Sequence, residues 1–428
     1  MFTIGLDLGT SGIRLALLDP DGRSVHSRQQ ALPESSSQPD ARVEQNPAVW
    51  WSIVRDLLRE AAVHLRGEPA AIAVDGTSAT LLRVDDSGRP THPALMYNDA
   101  RATDMLPILA GMAPAASAVH SPSSSAAKLL WLRRHEGLSG VRHVLHQADW
   151  ITGRLRGRFD RMDENNALKL GYDAVQRSWP NWLEEVLGTD AYLLPEVVPA
   201  GTVLGPLDPA MAEALRMNPA SRVVAGTTDS IAGFLASGVE DSTTGVSSLG
   251  STLVLKQLAP EAIYAPEMGV YSHRLLGRWL VGGASNSGGA VLRQYFDDAA
   301  LERLSQEVDP DHDSGLDYRP LPRPGERFPV SDPELQPRLT PRPGADAHFL
   351  QGLLEGIARV ERDGYQRLAE LGAPAIRGVV SLGGGARNPV WTRIRSRILG
   401  VPVTMAERDD AAVGAARLAR IGAGLETL

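Results

Sequence analysis

Two short stretches, one in each half of the chain, constrain its fold more than any other feature. Asp7-Leu8-Gly9-Thr10-Ser11 and Ser248-Leu249-Gly250-Ser251-Thr252 each set a glycine and small hydroxyl residues between two apolar runs. Apolar runs on both sides of a glycine turn read as strand, turn, strand. The echo therefore implies two related domains, each founded on a hairpin, facing a shared cleft. Glycine and small polar residues recur after apolar runs at positions 76–78, 286–289 and 383–385. Such turns expose backbone N–H groups and can cradle phosphate oxygens, although an ordinary tight turn has the same composition. No GxxxxGK[ST] run is present, and GGGAR after a strand is a poor dinucleotide fingerprint.

The rest of the pattern is that of an α/β chain. Residues 3–6, 13–18 and 24–32 read as strands, with Asp21-Gly22 as a hairpin turn. A serine- and proline-rich loop covers 34–40, and Asn46-Pro47 opens an amphipathic helix. Residues 70–74 form a short buried strand ending in Asp75-Gly76-Thr77-Ser78. Residues 126–172 read as helical, with Asp149 as a helix cap. Residues 223–225 form a strand that runs into Gly226-Thr227-Thr228-Asp229 and a helix over 231–236. A strand pair follows over 245–258, then a strand over 279–283. Residues 306–346 are irregular, 349–371 form a long helix, and 378–382 form a strand before Gly383-Gly384-Gly385. Strands grouped first, then alternation of strand and helix, place the chain in the α/β class. The division falls near residue 222, giving domains 1–222 and 223–428, with the last helix able to pack back on the first.

Composition narrows the function. The formal charge of −8 argues against a basic nucleic-acid or anionic-membrane surface. The absence of cysteine removes disulfides, thiolate metal sites and cysteine nucleophiles. The N-terminal run lacks a basic n-region and reads as a strand, so a cytoplasmic protein is expected. Asp7 and Asp229 stand out because each follows an apolar strand and precedes a turn or helix. Asp229 could be a helix cap and Asp7 a turn former. In phosphoryl transfer one carboxylate holds the metal beside the phosphates and another accepts the proton of the attacking hydroxyl. Other polar residues have plainer readings. His135, His143 and His146 lack metal-ligand spacing. Asp309, Asp311 and Asp313 lack the glycine and glutamate of a calcium loop. Trp50 and Trp51 belong to the core, and Arg101 faces a sugar or an exposed turn.

The segments IGLDLGTSGIRLAL, IAVDGTSATLL, VVAGTTDSIAGF, SSLGSTLVL, GGASNSGGA and SLGGGARNPVW fall in the order and spacing of the FGGY carbohydrate kinases. The chain resembles that family over nearly its whole length. HQADWITGRL, ENNALKLGYD, SGLDYRPLP and GERFPVSDPELQPRL resemble its cyanobacterial and plant D-ribulose kinases, which are xylulose-kinase-like. DGTSAT stands where bacterial xylulokinases carry GQMHG. The resemblance implies an α/β fold of two actin-like (ribonuclease-H-like) ATPase domains facing a central cleft. It also implies ATP- and Mg²⁺-dependent phosphorylation of a ketopentose, D-ribulose to D-ribulose 5-phosphate, with D-xylulose or another pentulose or pentitol as the alternative.

Carried onto matching positions, Asp229 is the base, and Asp7 is the carboxylate at magnesium, possibly through water. Thr10, Ser11 and Gly12 are the first phosphate loop, and Gly250, Ser251 and Thr252 the second. Ser11, Gly12, Arg14, Ser78 and Asp229 meet the sugar. Asn286 and Gly288 lie on the nucleotide side. Gly384, Gly385 and Asn388 hold adenosine, with Trp391 against the base. The partners implied are sugar and ATP, with neither nucleic acid nor membrane, for a monomer or homodimer. Two other readings stand beside it: an ATPase of the same fold that couples hydrolysis to shape change, and, from another class, a sugar-binding regulator with a degraded site. The presence of both Asp7 and Asp229 speaks against the regulator.

Overall fold

A computed structural model describes residues 1–37 and 41–427, so the loop expected at 34–40 lies partly outside the described residues. The chain forms two compact units. One comprises Met1–Ala236, Arg274–Leu276 and Asp410–Leu428; the other comprises Ser237–His273 and Gly277–Asp409.

The first unit is built on the strands β1 (Phe2–Leu8), β2 (Gly12–Leu18), β3 (Ser24–Ala31), β4 (Ala70–Gly76) and β5 (Arg222–Thr228). Their order across the sheet is β3–β2–β1–β4–β5, the first three antiparallel and the last two parallel to β1. Because β5 pairs with β4, the division between units falls after Ala236 rather than near 222. A strand paired in the first sheet cannot open the second unit.

The helix α1 (Pro47–Leu65) covers one face of this sheet through Trp50, Ile53, Val54, Leu57 and Leu58, and both Trp50 and Trp51 are buried. Asn46 caps it by accepting from the Ala48 N–H, which satisfies one of the donors a helix start leaves open. The stretch 126–172 is not one helix. It divides into α2 (Ser125–His135), a strand His143–His146, α3 (Gln147–Arg156), a strand Arg161–Asp163 and a short helix Glu164–Ala167. Gly137, Gly140 and Gly157, all at positive φ, make the breaks. Asp149 lies inside α3 and is no cap of it; its Oδ1 accepts from the Asp163 N–H at 3.0 Å. Helix α4 (Asp229–Ala236) follows β5 directly.

The second unit repeats the sheet. Strands β6 (Thr244–Leu249), β7 (Leu253–Ala259), β8 (Arg278–Ser285), β9 (Gly378–Leu382) and β10 (Val403–Met405) run in the order β8–β7–β6–β9–β10. Again a three-stranded antiparallel meander is extended by two parallel strands. The short sequence echo thus marks the same hairpin in two copies of one topology. Helices α5 (Asp346–Glu370) and α6 (Pro389–Leu399) belong to this unit, whereas α7 (Ala411–Gly422) belongs to the first. Between Ser305 and Asp346 the chain makes only turns, bends and isolated bridges.

Helix α7 approaches its neighbours backbone to backbone. A Cβ on Gly5 of β1 would lie 1.9 Å from the Ala412 carbonyl oxygen, and one on Gly414 would lie 1.8 Å from that of Ala232 in α4. Only glycine permits either contact. No described helix is long and apolar enough to cross a membrane.

Candidate active site

In the first unit, four carboxylates collect where β1, β4 and β5 end. Asp7 sits opposite Arg14 in β2 and beside Asp75 in β4, and Asp75 is in turn beside Thr227 in β5. Asp229 follows one residue after that strand. Asp410 caps α7 by accepting from the Ala412 N–H, and its charge bears on Asp7 and Asp75. Alternation along a strand puts Asp7 and Asp75 on one face, the face that α7 covers at Gly5.

Three parts of this arrangement have electrostatic consequences. Asp75 is fully buried with no neutralising partner, so burial, then the charges of Asp7 and Asp229, push its pKa well above the ordinary carboxylate range. Neither Asp75 oxygen meets a donor. The pair is satisfied when Asp75 is protonated and donates to Asp7, which is the sense in which the two shift one another. Asp7 is raised to about 6, chiefly by burial and further by Asp229 and Asp410, against the hydrogen bond from Asp75 and the charge of Arg14. Arg14 Nη1 reaches Asp7 Oδ2 at 3.3 Å and keeps nearly half of its side chain in solvent.

Around these acids the turns are open. The Gly9 N–H closes on the Gly12 carbonyl at 3.0 Å, leaving the Thr10 and Ser11 side chains exposed. Ser78 is half-buried on the turn after β4, and Thr77 is buried, its N–H and hydroxyl both donating to Gln147 Oε1.

The second unit holds a cavity of about 980 Å³. Gly250, Ser251, Gly384, Gly385, Asn388 and Trp391 line it, together with Leu301, Leu350 and Leu354. Its size is that of a pocket for a nucleotide-sized ligand.

Residues 2–236 match the N-terminal domain of the FGGY family of carbohydrate kinases, and residues 245–423 match its C-terminal domain. The chain belongs to that family. This FGGY kinase is 28% identical to the xylulose kinase of Escherichia coli (strain K12) over 444 residues, covering 99% of this chain and 90% of the other. It is 30% identical to the xylulose kinase of Streptomyces rubiginosus over 454 residues, covering 99% and 88%. The crystal structure of the Rhodospirillum rubrum xylulose kinase superposes with a TM-score of 0.86 at 26% identity, covering all of this chain and 91% of that one. The fold is accordingly that of the actin-like, ribonuclease-H-like ATPases.

Within this FGGY chain the expected residues take distinct places. Asp7, Thr10, Ser11, Gly12, Arg14, Ser78 and Asp229 all lie in the first unit, at strand ends or the turns after them except for Arg14, inside β2, and Asp229, which opens α4. Gly250, Ser251, Gly384, Gly385, Asn388 and Trp391 line the cavity of the second; Thr252, Asn286 and Gly288 do not. Asn286 turns its side chain to the Gly325 carbonyl, while Gly289 and Ala290 donate to the carbonyls of Gly250 and Ser251, so this segment braces the Gly250 turn. Asn388 caps α6, accepting from Val390 and Trp391 and donating to Ser305 Oγ. Trp391 is only 3% exposed; its Nε1 donates to the Leu354 carbonyl, and its ring lies under Gly385. Arg101 does not stand on an exposed turn: its side chain is buried and held by Asp99 and Glu44.

Sequence reasoning missed Asp410 and the pairing of Asp75 with Asp7. The signal for Asp410 was an acid before the helical stretch 411–422; that for Asp75 was a carboxylate ending a wholly apolar strand. The three histidines do not meet, His135 bonding Asp104 and His146 bonding Ser125. Among the described residues no three His, Cys, Asp or Glu side chains are gathered to hold a metal unaided. Magnesium is ordinarily held by one or two carboxylates together with phosphates and water, and half-satisfied Asp7 fits that demand.

Proposed function

We propose that this carbohydrate kinase transfers the γ-phosphoryl group of ATP to the terminal hydroxyl of a ketopentose, with D-ribulose as the substrate and D-ribulose 5-phosphate as the product. The observation that carries the reading is the carboxylate set of the first unit, in which partly exposed Asp229 stands apart from the buried pair Asp7 and Asp75. Phosphoryl transfer asks little covalent chemistry of a protein: it needs alignment, charge neutralisation and a base. Asp229 accepts the proton of the attacking hydroxyl. Asp7, directly or through water, would hold Mg²⁺, which neutralises the phosphate oxygens when bound. The N–H groups of the turns at 10–12 and 250–252 receive those oxygens, and the cavity lined by Gly384, Gly385 and Trp391 receives adenosine. Ser78 supplies a hydroxyl at the sugar.

D-xylulose is the second reading, favoured by the names of the relatives. The two ketoses differ at one carbon, so the choice rests on a polar contact one epimer leaves unpaired. That costs about 1–3 kcal/mol, or roughly ten- to a hundred-fold in kcat/KM.

ADP release measured with ATP alone, with D-ribulose and with D-xylulose tests the proposal. Release that requires a ketose supports the kinase, and a tenfold preference for D-xylulose transfers the assignment to the second reading. Asp229→Asn should lower kcat by about 10²–10⁴-fold with the KM for ATP unchanged, and near-normal turnover would reduce Asp229 to a helix residue. Ser78→Ala should narrow the ratio of kcat/KM for the two ketoses.

A further inference from the structure

The turn that carries Ser78 places Ala79 at φ 69°, the left-handed region that a side chain with a Cβ enters only at a cost. Its carbonyl does not face water. Ala79 O accepts from Lys128 Nζ at 2.8 Å, and the same nitrogen donates to Met96 O at 2.7 Å. Lys128 is completely buried in the first turns of α2, after the cap Ser124. A buried amine bonded to no carboxylate is expensive, and a helix start repels a cation. Its neighbours Ala127, Leu129 and Leu130 are apolar core, so packing alone does not call for lysine.

What Lys128 joins is specific. The strand Leu81–Val84 begins just after the first turn, the strand Ala94–Leu95 ends just before the second, and Leu81 pairs with Leu95 antiparallel. The two turns therefore lie at the same end of one small sheet. The first carries half-buried Ser78; the second carries Tyr97 and Asn98, both exposed. The second turn is further fixed by the Asp99 N–H, which also donates to Met96 O.

We propose that Lys128 is a positioning residue for the sugar side of the site: its side-chain nitrogen ties the Ser78 turn to the 96–98 turn, so that Ser78 on one and Tyr97 and Asn98 on the other meet the ketopentose at a fixed separation. This rests on the kinase reading above. The lysine touches no substrate and acts through the two carbonyls it holds.

Lys128→Met keeps the length of the side chain and removes both bonds. The expected result is a rise of at least tenfold in the KM for the ketopentose, with the KM for ATP within twofold of wild type. Adding Ala79→Gly, which accepts φ 69° without strain, should recover part of that loss. Amide hydrogen exchange at residues 78–80 and 96–99 reads the tie without any sugar and should be faster in Lys128→Met. Unchanged exchange overturns the proposal. So does faster exchange with an unaltered sugar KM, or an equal rise in both KM values with no recovery by Ala79→Gly, which would make Lys128 a core residue only. Failure of the kinase reading would look different: wild-type protein would release no ADP on addition of ketose, while the exchange result would still judge the tie.

Discussion

Arg395 and Glu361 are both completely buried, and breaking their pair should be among the costliest single changes in the second unit. Arg395 in α6 donates from Nε and Nη2 to the two oxygens of Glu361 in α5, each at 2.6 Å, and from Nη1 to Ser381 Oγ at 2.7 Å. Glu361 also accepts from Ser247, which is hydrogen-bonded to Tyr365. Ser247 and Ser381 are partners across β6 and β9, a few residues before the Gly250 and Gly383 turns. One ion pair thus anchors two helices to the strands that end at the cavity lined by Gly250, Gly384 and Gly385. Arg395→Met leaves Glu361 as a buried, unneutralised carboxylate, a loss of about 3–5 kcal/mol. For a unit of this size each kcal/mol shifts the melting temperature by roughly 2–4 °C, so the transition should fall by about 6–20 °C. Calorimetry, with Trp391 fluorescence one helical turn away as a local probe, reads the loss. Glu361→Leu added to Arg395→Met removes the stranded charge and should restore more than half of it. A fall under 2 °C, or a double variant no better than the single, would show that the pair contributes little to the stability of the second unit.

Gly385→Ala would set a Cβ 2.5 Å from the Trp391 ring and 2.9 Å from Leu249 Cβ; overpacking of this kind costs about 1–3 kcal/mol, and the KM for ATP should rise while that for sugar holds. Stability should also carry the titration of Lys128. Burial lowers its pKa to about 7 in the folded chain, against about 10.4 unfolded. Between these values the unfolded chain binds a proton the folded chain does not, so stability rises with pH by up to about 1.4 kcal/mol per unit. Lys128→Met lacks this gain, and wild type should therefore gain on the variant in melts at pH 6.5, 7.5 and 8.5. Asp99, Arg101 and Lys169, the charges that bear on Lys128, are common to both proteins. A difference that stays flat would mean the amine keeps its proton when folded.

Local chemistry made much of the fold legible. Asp21-Gly22 fixed a hairpin, Asn46 and Pro47 opened α1, and the two Leu-Gly echoes marked equivalent hairpins, because each signal acts over a few residues. The stretch 126–172 was misread for the complementary reason. Its apolar content fits a helix, but His143–His146 becomes a strand by pairing with Leu81–Val84, which lies far away in sequence. The site divides in the same way. Asp7 and Asp229 were visible from strand-end position. Arg101, Trp391 and Asn388 owe their states to distant partners, Glu44, Leu354 and Ser305. Lys128 gave no signal, since a lone lysine on a helix reads as solvent-facing until the two carbonyls it meets are known.

Helix α7 sets the order in which this protein can be born. It packs on β1 and α4 without a side chain between them, and Asp410 at its cap completes the acidic set. A ribosome delivers these residues only after the whole second unit. The first unit must wait, its β1 and α4 faces uncovered, while the whole second unit is synthesised and can fold. Until α7 emerges, that waiting surface is a natural client for chaperones. The same arrangement makes the helix a detachable part. A chain ended at residue 409 and a separate peptide of residues 410–428 should recombine in trans, turning ADP release into a complementation signal that reports docking of a single helix.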